Sequence, residues 1–176
     1  MSTKQKHIPC LITIFGATGD LSHRKLFPSI FHLYQQDNLD EHIAIIGLGR
    51  RDYNNEQFRD QVKASIQTYV KDTDRIDEFM THVFYHKTDV SDKNSYQSLL
   101  QFSERLDSEF ALGGNRLFYL AMAPQFFGVI SDYLKSSGLT QTTGFKRLVI
   151  EKPFGSDLKS AESLNNQIRR SFKEEE

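Results

Sequence analysis

Residues 11–25 read LITIFGATGDLSHRK, and the order of residue types in that stretch decides the fold class. A short β-branched apolar run, 11–15, stops at Gly16-Ala17-Thr18-Gly19. Apolar residues at helical spacing follow at once: Leu21, Leu26, Ile30, Phe31, Leu33 and Tyr34. Strand, glycine turn and helix is the arrangement by which α/β proteins bind a pyrophosphate. Gly16 lets the chain turn sharply off the strand. Gly19 removes a side chain where backbone N–H groups must approach phosphate oxygens. The turn is G-x-x-G-D-L rather than the usual G-x-G-x-x-G. The pattern G-x-x-x-x-G-K-[ST] is absent, which disfavours a nucleotide triphosphatase. On the turn alone, a glycine loop without a ligand is the competing reading.

The rest of the chain alternates between two periods. Continuous apolar runs at 11–15, 43–47, 83–86, 116–121 and 146–150 predict strands buried on both faces, as in a parallel sheet. Helical stripes lie between them. One is Phe58, Val62, Ile66, Tyr69 and Val70, behind Asn54 or Asn55. Another is Tyr96, Leu99, Leu100, Ser103, Leu106 and Phe110, started by Ser91 or Asp92. The last is Leu158, Ala161, Leu164, Ile168 and Phe172, behind Ser156 or Asp157. Shorter helices are expected over 75–81 and over 126–134, the latter between Pro124 and Gly138. Alternating β and α predicts a doubly wound, mainly parallel, Rossmann-like α/β sheet with helices on both faces.

Composition bounds the function. The chain has 176 residues, 38% hydrophobic, with net charge −1, which suits one domain with a real core and gives no basic excess for nucleic acid. The single cysteine, Cys10, rules out an internal disulfide and fits a reducing, cytoplasmic compartment. It reads as a small core residue. The polar N-terminus and the short first apolar run give no signal or membrane segment. The six histidines lack zinc-site spacing, so no metal is expected.

In a doubly wound sheet, ligands sit outside the carboxyl ends of the strands. The second strand ends in Gly47-Leu48-Gly49-Arg50-Arg51. An acidic residue there would accept the ribose 2′-OH of NAD, whereas arginine accommodates the 2′-phosphate of NADP. Two arginines offer a charge-assisted fork to that phosphate, and NADP is favoured over NAD. The third strand leads into Thr88-Asp89-Val90, where Asp89 faces the adenine edge, caps the next helix, or does both. The fourth ends in Ala121-Met122-Ala123-Pro124, whose small residues either leave room for ribose or nicotinamide or make a tight connection. The fifth ends in Glu151-Lys152-Pro153-Phe154-Gly155, which puts Lys152 at the sheet edge beside a stiff turn. Lys25, just beyond Gly19, either reaches back over the phosphate turn or faces solvent.

These residues together resemble the coenzyme-binding, N-terminal part of the glucose-6-phosphate dehydrogenase family. The resemblance rests on GATGDLSHRK at 16–25, Gly47-Leu48-Gly49-Arg50, Asp89-Val90, Ala123-Pro124 and Glu151-Lys152-Pro153-Phe154-Gly155, in order across essentially the whole chain. It implies oxidation of glucose 6-phosphate to the lactone with hydride transfer to NADP⁺, the entry to the oxidative pentose phosphate pathway. It also implies roles. Gly16, Ala17, Thr18, Gly19, Asp20 and Leu21 would hold the diphosphate, and Arg50 the 2′-phosphate. Arg51 would flank the adenine. Asp89, Val90, Met122, Ala123 and Pro124 would line the adenine and ribose path. Lys25 and Lys152 would support catalysis where coenzyme and sugar meet, with Lys152 touching both. The family's catalytic base, most sugar-phosphate ligands and homo-oligomer contacts belong to a large α+β domain beyond these motifs. Residues 1–176 are therefore expected to be an NADP-binding domain, mainly monomeric, that binds coenzyme without turnover.

Two other dehydrogenase classes do not fit. Short-chain dehydrogenases need Tyr-x-x-x-Lys, and none of the seven tyrosines has a lysine four residues on. The glucose–fructose oxidoreductase type keeps G-x-G-x-x-G, which is absent. A non-catalytic NADP-sensing module is the alternative from a different class.

Overall fold

The computed structural model describes residues 7–151 and 157–176. Five strands form one parallel sheet in the order β3-β2-β1-β4-β5. They are β1 (Cys10–Phe15), β2 (Ile43–Gly49), β3 (Val83–Lys87), β4 (Arg116–Leu120) and β5 (Lys146–Ile150). All five runs read from the sequence are strands. β2 runs on to Gly49 because its carbonyl accepts from Thr88 N–H (2.9 Å), which prolongs the ladder with β3. β4 stops at Leu120, one residue short of the expected end.

The helices are α1 (Phe27–Gln35), α2 (Asn55–Tyr69), α3 (Ile76–Met80), α4 (Lys93–Phe110), α5 (Phe127–Ser136) and α6 (Leu158–Arg169). A π-helical turn, Ser22–Leu26, leads into α1, and a 3₁₀ turn, Pro124–Phe126, leads into α5. The N-caps are settled in favour of Asn54, Asp92 and Asp157, whose side chains accept first-turn backbone N–H groups. Asn54 also shares a reciprocal capping box with Gln57.

Side-chain alternation along the strands builds two cores. Leu11, Phe15, Ala44, Ile46, Leu48, Phe118 and Leu120 meet Tyr96, Leu99 and Leu106 of α4, Ile130 and Leu134 of α5, and Leu164 of α6. Ile14, Ile43, Ile45 and Val83 meet Phe27 and Phe31 of α1, Phe58, Val62 and Ile66 of α2, and Phe79 of α3. Burial on both faces explains why the strand runs are continuously apolar.

Three stripe residues depart from expectation: Leu33, Tyr69 and Leu158 are 42%, 52% and 76% exposed. Leu33 lies off the buried line Phe27–Phe31–Tyr34. Tyr69 is the last residue of α2. Leu158 is in the first turn of α6, ahead of that helix's contact with the core. No helix among the described residues is long and apolar enough to cross a membrane. No cluster of metal-ligating side chains occurs among them either.

Candidate functional site: a cleft at the strand ends

The chain leaves β1 through α1 toward β2 and β3, then returns through α4 to β4 on the other side of β1. The sheet order therefore reverses between β1 and β4. A cleft of about 300 Å³ opens at the carboxyl ends of these strands, where a doubly wound sheet takes its ligand. Gly16, Thr18 and Gly19 line it from β1, and Leu48, Gly49 and Arg50 from β2. Thr88, Asp89, Val90 and Ser91 come from β3, and Ala121, Met122 and Phe126 from β4 and the turn after it.

Gly16 has φ +80°, so the sharp turn off β1 uses a backbone region that favours glycine. Ser22 Oγ donates to Gly16 carbonyl oxygen (3.0 Å) and clips the helix start onto the turn. The N–H of Ala17 is taken by Leu48 carbonyl oxygen (3.0 Å) and that of Gly19 by Gly16 (3.0 Å). The N–H groups of Thr18, Asp20 and Leu21 have no partner among the described residues. Unpaired amides at a helix start are what an anion uses. Arg50 is exposed at the end of β2 and lines the cleft. Its guanidinium makes no hydrogen bond or ion pair among the described residues.

Asp89 Oδ1 accepts from Ser91 N–H (3.0 Å), while Asp92 caps α4. Asp89 therefore shapes the turn and faces the cleft, and the capping role falls to its neighbour. Burial of Cys10 pushes its thiol up to about 12, which suits the core position read for it.

Other expected residues are placed elsewhere. Arg51 does not line the cleft: its Nη1 donates to Tyr53 Oη (2.9 Å) and its guanidinium lies 5.9 Å from that ring. Lys25 lines a separate surface groove with Arg24, Pro28, His32, Tyr69 and Lys71, away from the strand ends. Ala17 is buried against the sheet, and Asp20 pairs with Arg24 (3.2 Å). Leu21, Ala123 and Pro124 are also outside the lining, and Pro124 instead opens the turn that delivers Phe126. Lys152 and Pro153 lie outside the described residues. Just before them, Tyr119 Oη donates to Glu151 Oε1 across the β4–β5 pair.

Of the lining residues, Ser91 and Phe126 lay outside the strand-end motifs read from the sequence, and Leu48, Gly49 and Thr88 stood in them without an assigned role. A signal for Ser91 was available, since it follows a strand end. Phe126 carried none, because it reaches the cleft only through a one-turn 3₁₀ segment.

The family description "Glucose-6-phosphate dehydrogenase, NAD binding domain" matches residues 13–176. The chain belongs to the glucose-6-phosphate dehydrogenase family. It is 49% identical over all 176 residues to the glucose-6-phosphate 1-dehydrogenase of Bacillus subtilis (strain 168), covering 35% of that protein. It is 43% identical over 165 residues to that of Leuconostoc mesenteroides, which is 94% of this chain and 34% of the relative. A glucose-6-phosphate dehydrogenase solved in complex with its substrate glucose-6-phosphate superposes over the whole chain, with TM-score 0.87 and 36% identity, and the chain covers 37% of it. The chain thus spans about a third of the length of the curated relatives it matches. It matches the dinucleotide-binding domain of the family, which supports a nicotinamide cofactor.

Proposed function

We propose that the cleft binds NADP⁺ as the coenzyme half of a glucose-6-phosphate 1-dehydrogenase. The observation that carries this reading is Arg50: an uncommitted guanidinium at the end of β2, where an NAD-selective site would place a carboxylate. The unpaired amides of Thr18, Asp20 and Leu21 would hold the diphosphate. Asp89, Val90 and Ser91 would border the adenine, and Ala121, Met122 and Phe126 the ribose and nicotinamide. Lys152 would touch both coenzyme and sugar, and Lys25 would reach toward them from its own groove. Bound there, NADP⁺ supplies the acceptor for the hydride lost from C1 of glucose 6-phosphate.

The titratable groups in the described lining of the cleft are Arg50 and Asp89, and Asp89 Oδ1 is taken by the N–H of Ser91. We expect this chain by itself to bind the coenzyme without turning over the sugar phosphate. A general base typically contributes about 10²–10⁴ in rate.

Titration calorimetry with NADP⁺ and NAD⁺ tests the coenzyme reading. Arg50→Ala should weaken NADP⁺ by roughly 1.5–3 kcal/mol, the worth of a charged hydrogen bond, and leave NAD⁺ almost unchanged. Equal losses for the two coenzymes would refute it. NADPH formation by this chain from glucose 6-phosphate, tracking it through purification, would refute the expectation of inactivity.

A further inference from the structure

Arg50 is flanked by anchored backbone on both sides. On its N-terminal side, Leu48 carbonyl oxygen accepts from Ala17 N–H (3.0 Å) and Gly49 carbonyl oxygen accepts from Thr88 N–H (2.9 Å). On its C-terminal side, Arg51 carbonyl oxygen accepts from the hydroxyl of Tyr85 (2.7 Å). That hydroxyl belongs to β3, thirty-four residues away, and its ring is wedged between Phe58 (ring centroids 4.9 Å) and Tyr53 (5.7 Å). Tyr85 N–H donates to Asn55 Oδ1 (2.7 Å), which fixes the tyrosine's own backbone. Arg51 is held a second time, by its guanidinium on Tyr53.

The same hydroxyl lies directly under the residue before Arg50. A Cβ placed on Gly49 would fall 3.0 Å from Tyr85 Oη and 2.9 Å from Thr18 Cγ2. The phosphate turn, the β2 end and Tyr85 therefore close on one another around a single glycine. Arg50 is the one residue in this stretch whose side chain is neither buried nor bonded and faces the cleft. A long arginine loses much rotamer freedom when it grips an anion. A rigid backbone beneath it reduces the further ordering that binding requires.

Resting on the coenzyme reading above, we infer that Tyr85 is a positioning residue for coenzyme choice: its hydroxyl holds the Gly49–Arg51 turn so that Arg50 presents its guanidinium to the 2′-phosphate. Tyr85 does not line the cleft. Burial pushes its phenol up, so the hydroxyl stays a donor through the neutral range.

The test is a double-mutant cycle in this chain, with Tyr85→Phe, Arg50→Ala and the pair, titrated with NADP⁺ and NAD⁺. Phenylalanine keeps the ring between Phe58 and Tyr53 and removes only the hydroxyl, so the fold is retained, as urea midpoints will verify. Tyr85→Phe should weaken NADP⁺ about 3- to 10-fold, the effect of one neutral hydrogen bond. NAD⁺ should stay within about two-fold, so the NADP⁺/NAD⁺ preference falls. In the Arg50→Ala background the same change should move NADP⁺ by less than about two-fold, because the two residues act as one unit. Equal loss of both coenzymes would make Tyr85 structural only and overturn the inference. Full additivity with Arg50→Ala, or no change at all, would overturn it as well. If Arg50→Ala itself leaves the preference unmoved, the coenzyme reading fails, and this inference fails with it. If Arg50→Ala lowers the preference and Tyr85→Phe does not, the positioning role alone is lost.

Discussion

Replacing Gly16 by alanine separates two costs that the structure lets us assign. The first is conformational. Gly16 has φ +80°, and an L-residue held in that region costs about 1–2 kcal/mol. The second is steric. The new Cβ would press into the carbonyl oxygen of Ala121 and lie 2.9 Å from Met122 Cγ. The methionine can swing away, but the carbonyl belongs to backbone that is tied down: Ala121 N–H donates to Phe15 carbonyl oxygen (3.0 Å), just past the end of the β1–β4 ladder. Forcing such a contact costs about 1–3 kcal/mol. The expected total is about 2–5 kcal/mol, a large share of the ~5–15 kcal/mol that holds a domain together. Gly113 supplies the control. It has φ +67°, but a Cβ there would find nothing nearer than Asn115 Nδ2 at 3.6 Å. Gly113→Ala should therefore cost only the conformational ~1–2 kcal/mol. Urea unfolding followed by far-UV circular dichroism measures both, provided the slope with denaturant is unchanged. If Gly16→Ala is no more destabilising than Gly113→Ala, the β1–β4 contact is not the constraint inferred, and the argument for glycine at the head of the cleft is wrong.

Acid should destabilise the fold through identifiable groups. Hydrogen bonds from Arg75 and then Tyr34 pull Glu78 down to about 2. Because its folded value is below its unfolded value, the stability it contributes is complete above about pH 4.5 and is lost as the pH falls toward 2. Burial depresses His23 and His86 below their usual 6.5. Their contribution has the same sign, complete above about 6.5 and falling below it. Urea midpoints should drop from pH 7 downward, with a second decline below 4.5 that Glu78→Gln flattens; a midpoint that rises on acidification would refute this. Cys10, with its thiol near 12, should react with Ellman's reagent only as fast as the chain unfolds and at once in denaturant. Rapid labelling of the native chain would show that the start of β1 opens.

Much of this was legible from residue order because it is local chemistry. The turn at Gly16, the helix that follows it and the narrowing of each cap to one of two adjacent residues depend on neighbours within a few residues; the structure then chose Asn54, Asp92 and Asp157. The continuous apolar runs marked every strand, since both sheet faces are covered. Arg50 was readable because a strand end in this topology has a known place relative to the ligand. The exposure of Leu33, Tyr69 and Leu158 was not readable, because helical spacing says which residues share a face but not where that face runs out.

Residue order by itself determined the parallel α/β class, the glycine turn after the first strand and the arginine at the second strand end. Each follows from backbone sterics, burial or charge within a short segment. Only the tertiary structure decided which strand-end residues meet. It turned Arg51 onto Tyr53, sent Lys25 to another groove, brought Phe126 into the cleft and set the Tyr85 hydroxyl from β3 under the turn that carries Arg50. These are contacts between segments far apart in the chain, and their partners are chosen by sheet order and core packing rather than by any local preference.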